Sequence, residues 1–219
     1  MKPKYISVIL LITLCFSPLA SLAKQPESRV FIHINLWEMQ LYVMDETGKK
    51  LSSYRVAAGS RDTPSPIGTF HIAHKAKDWG GGFGSRWLGL DVPWGTYGIH
   101  GTNRPESIGK FASHGCLRMR NQDIEKLYKQ IPKNTLVLID GPIMGHEKIN
   151  YRILVPGTRG ALVQLVQNKL KAGGYYKGKC HGIFDKQTEQ AVKHFQRKEG
   201  LSVTGQIQLP DLLYLGIIE

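Results

Sequence analysis

Cysteine is scarce in this chain. Three occur in 219 residues, Cys15, Cys116 and Cys180, too few for a disulfide-stapled scaffold. Apolar runs long enough to span a bilayer are missing too. Ile6 to Phe16 is apolar but shorter than the roughly 20 residues a transmembrane helix needs. Acidic residues are outnumbered, with 17 Asp+Glu against 29 Lys+Arg and a formal net charge of +12. Such a balance favours anionic surroundings or simply aids solubility. No basic helix or aromatic stacking motif accompanies the charge, so nucleic acid is not an expected partner. No carboxylate stands at a ligand spacing from His100, His114 and Cys116, which argues against a zinc hydrolase. His71 and His74 lie three apart on an expected strand, point to opposite faces and cannot chelate together. The expected metal and cofactor content is none.

The first residues read as a secretory signal over 1–23. Lys2 and Lys4 form a basic head, Ile6 to Phe16 the apolar centre, and Ser21-Leu22-Ala23 the small residues of a cleavage site. Leucine before Cys15 argues against a lipoprotein signal, and Cys15 would leave with the segment. The expectation is a secreted protein of the cell wall or periplasm with no stable membrane anchor after cleavage. The mature chain would keep Cys116 and Cys180.

Residues 29–140 read as mostly strand. Val30, Ile32 and Ile34 alternate with Phe31, His33 and Asn35. Leu41 to Met44, the turn Glu46-Thr47-Gly48 and Leu51 to Val56 predict a hairpin. Thr63-Pro64-Ser65-Pro66-Ile67-Gly68 predicts a stiff turn, since each proline fixes its own φ and restricts its predecessor. Thr69 to Ala73 is extended. Trp79 to Trp87 is glycine-rich and expected as a loop, with Gly80 to Gly84 a lid. Trp79, Trp87, Trp94 and Tyr97 would either line a groove or pack in core and loops. A helix is expected over Asn121 to Gln130, its face formed by Ile124, Leu127, Tyr128 and Ile131, then a strand over Thr135 to Ile139. Residues 141–156 read as a linker. Residues 157–219 predict a three-helix domain. One stripe is Leu162, Leu165, Val166 and Leu170. A second, Thr188, Ala191, Val192 and Phe195, is capped by Asp185. A third helix opens at Pro210 and carries Leu212, Leu213 and Leu215.

The chemistry concentrates between His100 and Cys116. A thiol attacks as thiolate, and an imidazole can take its proton and return it. Two candidate histidines, His100 and His114, precede the thiol in a glycine-rich setting of Gly98, Gly101, Gly109 and Gly115, where backbone can approach a substrate closely. Thiol acyl transfer is the reading. A buried inert cysteine, or a bridge to Cys180, is the alternative.

Ile99-His100-Gly101-Thr102 and Ser113-His114-Gly115-Cys116-Leu117-Arg118-Met119, with the upstream Thr63-Pro64-Ser65-Pro66-Ile67-Gly68-Thr69-Phe70, resemble the signature of the L,D-transpeptidase (YkuD-type) catalytic domain. The resemblance covers roughly residues 29–140. It implies an α+β protein whose catalytic domain is mostly β, a sheet or barrel, and peptidoglycan cross-linking by a cysteine without metal or cofactor. It makes Cys116 the nucleophile, His100 its proton acceptor and donor, and the Gly101 carbonyl the group that orients the imidazole, a position other members fill with serine. His114 and Ser113 would shape the site, with His114 an alternative base. Gly115, Arg118 and Tyr97 would contact substrate, Arg118 through a carboxylate or the oxyanion; the family commonly has asparagine near position 118.

Gly160, Val163, Leu165, Gln167 and Leu170, then Gly174-Tyr175-Tyr176, Gly182-Ile183-Phe184-Asp185, Ala191-Val192, Phe195-Gln196 and Thr204-Gly205 resemble a three-helix peptidoglycan-binding domain. Together the two resemblances imply stem peptides and glycan strands as partners and D-alanine as leaving group. An L,D-carboxypeptidase or endopeptidase, or an idle wall-binding protein, would carry the same framework.

Overall fold

The computed structural model of the protein describes residues 30–60, 63–143 and 152–218. The expected signal over 1–23 lies outside them, as do positions 144–151 of the expected linker. Strands β1 (Val30–Asn35), β2 (Gln40–Asp45) and β3 (Lys50–Arg55) form an antiparallel meander. Ile32, Ile34, Leu41 and Val43 are buried, as the period-two alternation of apolar residues requires. Next come β4 (Ala58–Gly59), β5 (Gly68–Lys77), β6 (Arg86–Leu90), β7 (Tyr97–His100), β8 (Phe111–Ser113) and β9 (Leu117–Arg118). Helix α1 (Asn121–Gln130) and β10 (Leu136–Asp140) complete this part.

Among the described residues, eight strands make one mixed sheet in the order β3-β2-β1-β10-β5-β6-β7-β9, and β4 pairs with β8. The β1–β10 and β7–β9 pairings are parallel. Helix α1 packs over β6 and β7 with Ile124 and Leu127 fully buried. Lys75 of β5 donates to the Tyr128 carbonyl at 2.7 Å and the Ile131 carbonyl at 2.5 Å, satisfying acceptors that a helix end leaves open.

The glycine-rich loop is shorter than the sequence suggests. Trp87 lies in β6 and is 1% exposed. Gly89 and Gly98 face each other across β6 and β7, and each is a point of close approach. A Cβ on Gly89 would lie 2.1 Å from His74 Cε1, and one on Gly98 would lie 2.6 Å from Trp87 Cζ2. Glycine usually weakens a strand; here it admits the indole and the imidazole.

The C-terminal region holds α2 (Ala161–Ala172), α3 (Lys186–Lys198) and α4 (Leu209–Tyr214) around a second core. Asp185 caps α3 by accepting from Thr188 N at 2.8 Å. The buried face of α2 runs through Val163, Val166, Gln167 and Leu170, rotated from the expected stripe, so Leu162 and Leu165 are half-buried. The rotation follows from Gln167. Its amide accepts from Gly182 N at 2.8 Å and donates to Ile183 O at 3.0 Å and Thr188 Oγ1 at 2.9 Å, so burial leaves it satisfied. In α4, Leu212 is buried while Leu213 is exposed. Leu154, within the expected linker, pairs with Ile207 and joins the helical core. The two cores meet at Trp94. Ala161 and Ile183 pack against the sheet core, and a Cβ on Gly182 would lie 2.4 Å from Trp94 Cε3.

The crowding at Gly98 gives a direct expectation. Gly98→Ala must displace Trp87 or the strand, so it should destabilise the chain by about 1–3 kcal/mol. Urea unfolding reads this as a lower midpoint at unchanged slope.

Candidate active site

In the parallel pair β7–β9, Ile99 lies opposite Leu117 and His100 opposite Arg118. Ile99 and Leu117 are fully buried in the sheet core. Because side chains alternate, His100 and Arg118 point to the other face, and Cys116, one residue before β9, aligns with Gly98 on that same side. The register therefore brings thiol, imidazole and guanidinium together.

A tight turn presents the thiol. Ser113 Oγ donates to the Cys116 carbonyl at 2.5 Å and accepts from Gly115 N at 3.1 Å. Gly115 has φ +108°, and a Cβ there would lie 2.7 Å from Tyr97 Cε1, so only glycine suits the position. Ser60 N donates to the Ser113 carbonyl at 2.8 Å, and Thr63 Oγ1 does so at 3.1 Å. The proline-rich turn thus braces the cysteine turn from behind. Ser113, 2% exposed, works inside the turn. Its neighbour His114 is exposed. Tyr97 is half-buried beside Gly115, and Arg118 Nη1 donates to the Ala112 carbonyl at 3.2 Å.

The His100 ring is enclosed. It stacks on Trp87 at 5.5 Å between centroids and 20° between planes, and meets Phe83 edge-on at 4.9 Å. Trp79 stacks on the same indole at 5.1 Å, and Trp87 Nε1 donates to His74 Nε2 at 2.9 Å. His100 Nδ1 lies 2.5 Å from the Gly101 carbonyl oxygen. A carbonyl only accepts, so Nδ1 carries the proton and Nε2 is left with the lone pair.

Burial dominates the electrostatics. It drives the His100 pKa down to about 4, against the opposing pull of the Gly101 and Phe83 carbonyls, and the Arg118 charge lowers it further. Burial also pushes the Cys116 thiol above its ordinary 9.0, opposed by the Gly98 backbone and by Arg118. At neutral pH both groups are uncharged. A thiol in this state can act as a nucleophile only if loss of its proton is coupled to bond formation.

Among the described residues no group of three or more His, Cys, Asp or Glu could hold a metal ion, and Cys116 and Cys180 are both free thiols. His71 turns to Asp91 and His74 to Trp87. The sequence did not reveal the enclosure of His100 by Phe83 and Trp87, because it depends on the pairing of β6 with β7 and on how the glycine-rich segment folds back over them. Nor did it reveal Asn121, whose Oδ1 accepts from Ser85 N and Thr102 N, each at 3.2 Å. Gly84 and Gly101, the two glycines that crowd this oxygen, were the only signal available.

Two titrations follow. Iodoacetamide labelling mapped to Cys116 should keep rising with pH beyond 9, with no plateau below pH 7 such as a preformed thiolate–imidazolium pair would give. His100 also titrates lower in the folded chain than its ordinary 6.5. Between about pH 4 and 6.5 the unfolded chain binds more protons, so His100 contributes stability that grows as pH rises through that window. His100→Gln should flatten that part of the stability profile, read by urea midpoints at each pH.

Comparison with known proteins places the sequence. The L,D-transpeptidase catalytic domain family, YkuD, matches residues 29–139, and the family described as "Putative peptidoglycan binding domain" matches residues 159–207. The "Putative L,D-transpeptidase YkuD" of Bacillus licheniformis is 40% identical over 111 residues, covering 51% of this chain and 64% of that protein. The "Putative L,D-transpeptidase YqjB" of Bacillus subtilis is 43% identical over 112 residues, covering 44% and 63%. The match thus spans less than two thirds of either relative. The catalytic domain of the E. faecium L,D-transpeptidase, solved by NMR, is 24% identical with a TM-score of 0.45, covering 51% of this chain and 96% of that one. The YkuD match extends over half of the sequence and contains His100, Cys116 and the sheet that aligns them: the chain belongs to the YkuD family of L,D-transpeptidases.

Proposed function

We propose that this protein is an exported L,D-transpeptidase that cross-links peptidoglycan through a thioester on Cys116. The observation that carries the reading is the shared face of Cys116 and His100, with the His100 Nδ1 proton committed to the Gly101 carbonyl. The His100 Nε2 lone pair accepts the thiol proton as Sγ forms a bond to the carbonyl carbon of the third stem residue. The same proton passes to the nitrogen of the terminal D-alanine, the C–N bond breaks, and the thioester remains. An amine of a second stem then attacks the thioester, gives its proton to Nε2, and expels the thiolate, which is reprotonated.

Arg118, half-exposed on the strand beside His100, stabilises the developing oxyanion together with backbone amides near Cys116, or holds a substrate carboxylate. The exposed His114 shapes the entrance, while the base role belongs to His100, whose tautomer is set. The helical region raises the local concentration of the enzyme on the wall. Export rests on the composition of residues 1–23, and the cell wall or periplasm is the corresponding location.

Incubation with a stem tetrapeptide, with and without an amine acceptor, tests the reading. Wild type should release D-alanine and form the cross-linked product, and Cys116→Ala should lose at least about 10³-fold in rate, the nucleophile being essential. Alanine release with only hydrolysed stem in the product mass spectrum would make the protein a carboxypeptidase. No release at all would leave a wall-binding protein.

A further inference from the structure

Asn121 is the first residue of α1 and touches neither Cys116 nor His100 in any interaction described above. Its side-chain oxygen nevertheless lies at a junction of three segments. Oδ1 accepts from Thr102 N at 3.2 Å and from Ser85 N at 3.2 Å. These amides belong to the chain leaving β7 and to the end of the glycine-rich segment that carries Phe83.

The Thr102 bond matters because of what shares its peptide unit. The Thr102 N–H and the Gly101 C=O are opposite ends of one planar, trans amide. Fixing where the N–H points therefore fixes where the carbonyl points. That carbonyl is the one 2.5 Å from His100 Nδ1. Asn121 holds one end of a rigid lever, and the imidazole rests on the other.

The glycines agree. A Cβ on Gly101 would lie 2.1 Å from Asn121 Oδ1, and one on Gly84 would lie 2.2 Å from it. Gly84 also has φ +65°, which favours glycine by itself. Gly101 has no such φ, so the space taken by the Asn121 oxygen is what a side chain there would have to invade.

We propose that Asn121 is a positioning residue: through the Gly101–Thr102 peptide it fixes the imidazole of His100 as the Nδ1-protonated tautomer, leaving the lone pair on Nε2. The role in catalysis rests on the reading of His100 as the base. The tautomer itself does not, because it exists without substrate. Removing the Oδ1 acceptor frees the peptide to tilt, and the ring loses the bond that selects its tautomer. A general base typically contributes 10²–10⁴-fold, so partial loss of its orientation should lower kcat by about 10- to 100-fold.

The test uses the full chain with ¹⁵N-labelled histidine, comparing wild type, Asn121→Ala, Asn121→Asp and Gly101→Ala. Wild type should show the Nδ1–H tautomer at His100 in its ring ¹⁵N shifts. Asn121→Ala should shift it toward the other tautomer and lower kcat with KM within about 2-fold. Asn121→Asp, which keeps an oxygen acceptor at Oδ1, should hold the tautomer. Gly101→Ala pushes a methyl into the same space, so it should reproduce the Asn121→Ala shift even if Asn121→Ala fails to fold. Wild-type ring shifts in both Asn121→Ala and Gly101→Ala would overturn the proposal, as would equal loss in Asn121→Ala and Asn121→Asp. If wild type transfers no acyl group, the functional reading fails, and the ring shifts still decide the role of Asn121.

Discussion

The parallel pairing of β7 with β9 is the constraint on which the site depends. Parallel strands cannot be joined by a tight hairpin, so residues 101–116 must loop out and return, and that excursion carries β8, which pairs with β4. A slip of one residue would turn His100 into the sheet core and Ile99 out to the site. Full burial of Ile99 and Leu117 opposes the slip. The hydrophobic core therefore sets the register of the chemistry, and the glycines at 98 and 115 let an indole and a tyrosine ring close around it.

Enclosure determines the electrical state of the pair. Trp87 and Phe83 exclude water from His100, and the same low-dielectric surroundings disfavour the thiolate of Cys116. Arg118 makes protonation of His100 harder and ionisation of Cys116 easier, so its charge favours moving a proton away from the sulfur without leaving it permanently on the ring. The resting pair is therefore neutral on both sides.

Much of this was legible in the sequence, and the parts that were not share a cause. The alternation in β1, the hairpin of β2 and β3 and the apolar face of α1 are local patterns, and local patterns survive in one dimension. His100, Gly101 and Cys116 stood out because their spacing matched a family motif. The start of β6, Arg86 and Trp87, was read as loop because the glycines of Gly80 to Gly84 precede it, and the close approaches at Gly89 and Gly98 depend on His74 and Trp87 filling the space. The α2 face was misjudged by part of a turn because a polar residue, Gln167, is buried and satisfied by groups from distant positions. Asn121 read as an ordinary helix start. Each of these depends on a partner far away in the chain, and a single sequence carries no record of such partners.

The helical region meets the sheet at Trp94, which packs on Phe70 and lies close against Gly182. The helical region and the sheet that carries Cys116 and His100 thus adjoin within one chain. The most direct measurement is proteolytic mapping of the covalent intermediate after rapid acid quench of the wild-type protein with a stem tetrapeptide. The account predicts a stem adduct lacking the terminal alanine on the peptide that contains Cys116, removed by hydroxylamine as a thioester would be. An adduct on any other residue, or turnover that persists in Cys116→Ala, would contradict it.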